Sequence, residues 1–224
     1  MSISRLNQRE LLLFDLDGTL IDTAADMYRA MNLTLAQLNL PQVTEQNIRQ
    51  WVGQGTGKLC DRVLEYLTGQ IDPLQHQQLL QQYLEIYALE LCVKSQPFLG
   101  VLPFLDYCKT QQFKMACVTN KPEQLAKDLL QKLNISHYFE LILGGDSLAK
   151  RKPDPLPLQY AVQYFQTSIE KTLMFGDSKN DVEAARRAGI DCIVMSYGYN
   201  HGEDIRACQP QQVIDTLTVL IPSR

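Results

Sequence analysis

The chain has one tryptophan, three histidines and six cysteines, and none of them is spaced for metal or redox chemistry. Cys60, Cys92, Cys108, Cys117, Cys192 and Cys208 contain no CxxC pair, so neither a zinc site nor a disulfide frame has a pattern to rest on. His76, His137 and His201 are far apart, which leaves a His/Cys metal cluster without support. No apolar run is long enough to cross a bilayer, and the first ten residues lack the apolar core of a signal peptide. Positive charge is not in excess either. The formal net charge of −4 argues against general binding to nucleic acid or to membrane surfaces. A cytoplasmic protein, monomeric or homodimeric, is expected. No internal repeat is present.

Against these absences stands one stretch, Leu11–Leu20, LLLFDLDGTL. A short, pure apolar run reads as a strand buried on both faces, and two carboxylates, Asp15 and Asp17, follow it at once. Side chains at the end of such a strand point into the crevice where open α/β sheets bind ligands. Two acids there repel each other and resist desolvation unless a cation or a proton compensates.

Helical periodicity follows. Met27, Ala30, Met31, Thr34, Leu35 and Leu38 repeat at helical spacing behind Thr23-Ala-Ala-Asp26, which fits a capping box. Helical texture continues to about Leu91 with a break at Trp51–Lys58, and the glutamines between Leu74 and Tyr87 read as a solvated face. Trp51 reads as an aromatic anchor for these helices. From Pro97 the texture alternates: apolar runs at Lys114–Thr119, Leu141–Leu143, Leu173–Phe175 and Cys192–Met195 are separated by helical segments around Glu123–Leu133, Pro157–Phe165 and Asp181–Ala188. Alternation of this kind predicts a parallel sheet with right-handed crossovers. The expected architecture is therefore α/β, a Rossmann-like parallel sheet core with a helical cap inserted after the first strand. Residues 1–21 and 97–224 form the core and residues 22–96 the cap.

Three further signals sit at probable strand ends: Thr119-Asn120-Lys121, Lys152 within Arg151-Lys152-Pro153-Asp154-Pro155, and Gly176-Asp177-Ser178 with Asp181 beyond it. A parallel sheet brings such ends to one edge. Asp15, Asp177 and Asp181 are hard oxygen donors suited to Mg²⁺. Thr119 and Asn120, beside backbone N–H groups at a helix start, make a phosphate seat, and Lys152 adds a compact positive charge. Each signal alone is ordinary, since turns and helix caps use the same residues. The four together, in order and each near a strand end, point to phosphate chemistry.

These motifs, DLDGT at Asp15–Thr19, VTNK at Val118–Lys121, RKPDP at Arg151–Pro155 and GDSxxD at Gly176–Asp181, resemble those of haloacid-dehalogenase superfamily phosphatases from Leu11 to about Gly202. More narrowly, GGDSLAKRKPDPLPL and the tail Ser196–Glu203 resemble the bacterial phosphoglycolate phosphatases. The resemblance implies that Asp15 is the nucleophile and Asp17 the proton carrier, with Thr119 and Lys152 completing the catalytic set. It also implies Mg²⁺ held by Asp15, the Asp17 carbonyl, Asp177 and Asp181. A small phosphorylated metabolite, 2-phosphoglycolate, is the expected substrate; a sugar phosphate, pyrophosphate or a phosphosugar mutase reaction is the alternative. Asp17 speaks against dehalogenation, because a departing halide needs no proton.

Substrate choice is expected of the cap. The loop Gly53-Gln54-Gly55-Thr56-Gly57-Lys58 is the segment to face the cleft, although its spacing fails the P-loop pattern. For a substrate carboxylate, Lys58 and Arg62 are the expected cationic contacts, with Arg29 a further candidate.

Overall fold

The computed structural model describes residues 6–222. Leu11–Phe14 forms β1, every residue buried, as its unbroken apolar character requires. The chain then passes through the two-residue strand β2 (Ile21–Asp22) into four helices: α1 (Ala24–Gln37), α2 (Glu45–Trp51), α3 (Thr56–Thr68) and α4 (Pro73–Leu89). It returns through β3 (Gln96–Pro97), which pairs antiparallel with β2, so one narrow ribbon carries both passages between sheet and helical block.

The rest alternates: α5 (Val101–Thr110), β4 (Lys114–Val118), α6 (Glu123–Lys132), β5 (Leu141–Leu143), α7 (Leu156–Tyr164), β6 (Thr172–Gly176), α8 (Lys179–Ala188), β7 (Asp191–Met195) and β8 (Gln212–Ile214). The six-stranded sheet has the order β5-β4-β1-β6-β7-β8 with every pairing parallel. The chain builds outward from β1 through β4 to β5, then returns to β6 on its other side. That reversal makes the carboxyl end of β1 a topological switch point, where crossovers diverge and leave a crevice. Successive β1 residues alternate between the layers. Leu12 and Phe14 pack with α5, α6 and the helical block, while Leu11 and Leu13 pack with α7 and α8.

The helical block joins the same core through Met27, Leu59, Val63, Tyr83 and Tyr87. Its periodicity is as read, and Gln75, Gln77, Gln78 and Gln81 lie exposed on α4. Trp51 is half-buried, with its ring 5.2 Å from that of Tyr66. The expected capping box at Thr23 is a correction. Thr23 does cap α1 in sequence, but its backbone is helical (φ −107°, ψ −6°) and its hydroxyl makes no cap bond. Its N–H, which Asp26 would accept in a capping box, donates to Tyr199 Oη, as does that of Ala24. Asp26 is taken by Lys94 N, Ser95 N and Ser95 Oγ, tying α1 to the return passage. All six cysteines are free, as their spacing implied. Among the described residues, no helix is long and apolar enough to cross a membrane.

Candidate active site

The four sequence signals meet above the carboxyl ends of β1, β4 and β6. Asp15, the first residue beyond β1, is anchored by its own N–H on Phe175 O at 2.9 Å. Its Oδ1 accepts from Leu16 N at 2.7 Å and lies 3.0 Å from Lys152 Nζ. Lys152 reaches under the sheet edge, donating to Val118 O and to Asp181 Oδ1, each at 2.6 Å. Burial opposes its charge, but Asp15 and Asp181 outweigh that and hold the ammonium above its ordinary pKa. Asp15 is pushed up to about 7, by burial first and against the pull of Lys152.

Asp177 follows β6 and faces Asp15. Thr19 Oγ1 donates to its Oδ1 at 2.8 Å and Tyr199 N to its Oδ2 at 2.5 Å. Two glycines make room for this carboxylate. A Cβ on Gly18 would lie 2.3 Å from Asp177 Oδ2, and one on Gly198 would lie 2.1 Å from Asp177 Cβ. Gly18 also has φ +86°, a conformation that favours glycine. Asp177 lacks a cationic partner, and burial together with Asp181 and Asp15 raises its pKa well above the carboxylate range.

Oxygens from Asp15, Asp177 and Asp181 all lie within 4.8 Å of one another. The residues fit a divalent cation on charge as well as on distance. Among the described residues, Asp15, Asp17, Asp177 and Asp181 face only Lys121 and Lys152 as cations, so with all four ionised two negative charges are left over in a buried site. Within that set Asp181 is the most heavily engaged. Its Oδ2 accepts from Asp177 N, Ser178 N and Ser178 Oγ while Oδ1 takes Lys152. It caps α8 and aims Lys152, leaving Asp15 and Asp177 the freer oxygens.

Asp17 is paired with Lys121, whose Nζ lies 3.0 Å from Oδ1 and 3.4 Å from Oδ2. Lys121 also donates to Tyr87 Oη of α4 at 2.7 Å, so Asp17 is linked to the helical block through one lysine. Thr119 and Asn120 are buried at the end of β4. Asn120 Nδ2 donates to Lys152 O at 2.9 Å and to Gly53 O at 3.0 Å, and Asn180 Nδ2 also donates to Gly53 O at 3.0 Å. The glycine-rich loop is thereby held down on the core. Beneath it lies a cavity of about 30 Å³ lined by Asp15, Asp17, Thr119, Asn120, Lys121 and, from the helical block, Tyr87 among others. This is room for a water or two and not for an organic ester, so the helical block must lift for a substrate to enter.

Asp15, Asp17, Thr119, Asn120, Lys152, Asp177 and Asp181 are thus brought together; Lys58 and Arg62 are not. Neither lines this cavity: Lys58 borders a neighbouring cleft with Arg151, Lys152 and Asn180, and Arg62 reaches His201 at 3.0 Å. Lys58 is exposed and pairs with Asp61 at 3.0 Å. Arg62 donates to Trp51 O at 2.8 Å and to Gln54 Oε1 at 2.9 Å, bracing the loop from behind. Arg29 pairs with Glu90. Sequence reasoning passed over Lys121 and Tyr87 as contributors. Lys121 stood within a quoted motif, whereas Tyr87 was indistinguishable from a core aromatic.

Two carboxylates one residue apart, a buried lysine and three acids that could hold a metal ion meet at the switch point, the arrangement of a hydrolase site. The chain belongs to the haloacid dehalogenase-like hydrolase family, whose model matches residues 12–195. It is 41% identical to the phosphoglycolate phosphatase of Nitrosococcus oceani, over 95% of both chains. It is 40% identical to that of Colwellia psychrerythraea, over 98% of both. Among solved structures, a predicted phosphoglycolate phosphatase from Haemophilus somnus 129pt superimposes with a TM-score of 0.90 at 32% identity, covering 94% of this chain and 95% of that one.

Proposed function

We propose that the protein hydrolyses 2-phosphoglycolate to glycolate and phosphate, with Mg²⁺ as its cation. The observation that carries the reading is the pairing of Asp15 and Asp17 in one closed cavity with different partners, Lys152 for the first and Lys121 for the second. Near-full-length relatives of that activity support it. Asp15 attacks phosphorus and its oxygen–phosphorus bond forms as the ester bond breaks, giving an aspartyl phosphate. Asp17 delivers a proton to the leaving glycolate oxygen, then withdraws one from the water that cleaves the intermediate. The Lys152 charge and the Thr119 hydroxyl hold the phosphoryl oxygens, while the Asn120 amide, donated to the Lys152 and Gly53 carbonyls, shapes the seat. Asp181 keeps Lys152 aimed. Mg²⁺, held by Asp15 and Asp177 with Asp181 behind them, would neutralise phosphoryl charge during transfer.

Asp15→Asn is expected to lower kcat by at least about 10³-fold while leaving the fold intact, and a chelator to abolish turnover reversibly. Steady-state release of phosphate from a panel of small esters, ranked by kcat/KM, checks both reaction and substrate. A sugar phosphate is the second reading. It is favoured by Asn120 Oδ1, a buried acceptor without a protein donor that a substrate hydroxyl would satisfy. Preference for a hydroxylated ester over phosphoglycolate would establish it.

A further inference from the structure

A substrate carrying both a phosphoryl group and a carboxylate needs a second cation, distinct from the one at Asp15. Helix α3 does not supply it to this cavity, because Lys58 and Arg62 do not line it and are paired elsewhere, Lys58 with Asp61 and Arg62 with Trp51 O and Gln54 Oε1. Among the described residues lining the cavity, Lys121 is the one cation. The rest of the wall contributed by the helical block is Met27, Val52, Leu59, Thr56, the two tyrosines and glycine backbone, which offers shape but no charge.

We infer that Lys121, positioned by Tyr87, is the residue that recognises the substrate's carboxylate; the inference rests on the phosphoglycolate reading. The geometry follows from the roles already set out. Asp17 must touch the ester oxygen to protonate it, and Lys121 Nζ is 3.0 Å from Asp17. In phosphoglycolate a single methylene separates the ester oxygen from the carboxylate, so an ester seated on Asp17 delivers its carboxylate to the Lys121 ammonium. Of the three Lys121 donors, Asp17 and Tyr87 Oη engage two, and the third is available. Its side chain is 2% exposed, so a contact made there is dry and strongly discriminating. Tyr87 belongs to the helical block, whose closure completes the Lys121 site. Lifting the block withdraws the Tyr87 hydroxyl and opens the way to Lys121; on closure the hydroxyl returns and the substrate's carboxylate takes the third donor. Discrimination is thereby read from the core by a lysine that the helical block only sets in place.

The test compares 2-phosphoglycolate with ethyl phosphate, a neutral-tailed ester of similar size. In the wild type the first should be preferred in kcat/KM. Lys121→Gln should reduce that preference about 10- to 100-fold, mainly through the KM of phosphoglycolate, the range of one charge-assisted contact. Because Lys121→Gln leaves Asp17 buried without its partner, Asp17→Asn and the double variant Asp17→Asn/Lys121→Gln provide a comparison in which removing Lys121 strands no carboxylate. Binding of both esters to these two, by isothermal titration with Mg²⁺ present, should show the preference in the first and its loss in the second. Equal weakening of both esters by Lys121→Gln, or a preference that survives in the double variant, overturns the assignment. A wild type that shows no preference for phosphoglycolate removes the substrate reading itself, and the inference with it.

Discussion

Asp177 is the residue in this site with the least to hold its charge, accepting only from a threonine hydroxyl and a backbone N–H. Burial and its acidic neighbours raise its pKa, and Asp15, pushed up to about 7, shares the sign. A carboxyl whose folded pKa is raised binds its proton more tightly in the native chain than in the unfolded one. That contribution favours folding at low pH and is lost as pH climbs from near 4 through the folded value. In chelator, Asp177→Asn should therefore gain stability relative to the wild type as pH rises from about 4 to 8, measured as paired urea melts. A constant offset across that range would contradict the electrostatic account. Saturating Mg²⁺ should stabilise the wild type and not the variant. At this scale the sequence was informative about which atoms matter and silent about who holds them. The acids and Lys152 were legible because four signals, each ordinary alone, fall in order and each near a strand end. The engagement of Asp181 by four donors, and the placing of Lys58 and Arg62 outside the cavity wall, depend on packing that no residue pattern records.

Among the elements, the segment after β7 does more than its composition suggests. Tyr197, Tyr199 and His201 alternate along it. They reach, in turn, the carbonyl of Thr19, the start of α1, and the carbonyl of Gln50 at the end of α2. Between the first two, Gly198 lies against Asp177. Gly198→Ala should displace that carboxylate and weaken Mg²⁺ binding about 10- to 100-fold, the usual cost of disturbing a support of a metal ligand, as calorimetric titration would show. Tyr199 also donates to Asp22, which receives Arg49 in a bidentate pair at 3.1 and 3.2 Å. Strands and helices were legible from their two periodicities, and their observed bounds differ from expectation by a residue or two. The misread cap at Thr23 has a specific cause: Tyr199, remote in sequence, takes the Thr23 N–H that Asp26 would have accepted, and Asp26 is held by Lys94 and Ser95. Strand β8 escaped because it is three residues long and half-buried over most of its length.

On the scale of the whole molecule, the helical block shares the apolar core and adds a few polar contacts at the loop over the cavity. Asn120 and Asn180 share the Gly53 carbonyl, and Lys121 bridges to Tyr87. Each such bond contributes about 1 kcal/mol, or roughly five-fold in an equilibrium. Asn180→Ala should therefore shift the block toward its lifted position and raise KM about five-fold, with the metal affinity little changed. Trp51, the chain's single tryptophan, ends α2 beside this loop, and Arg62 bonds its carbonyl. Its emission should change on substrate binding and start from the lifted value in Asn180→Ala, readable by stopped-flow fluorescence. The insertion of helices after the first strand was legible from the change of texture at Pro97. Their seating on the core was not, because it is made by backbone carbonyls.

The position of β1 has a consequence for how the molecule comes into being. It lies at the middle of the sheet, paired on one side with Lys114–Val118 and on the other with Thr172–Gly176. A growing chain thus makes its most apolar strand long before either neighbour exists, and the four helices emerge in the interval. Contacts so distant along the chain are slow to form. During synthesis one edge of LLLF is covered only at mid-chain by β4 and the other only by the last third of the protein, and a ribosome stalled before β6 would leave that second edge open to any passing β-sheet.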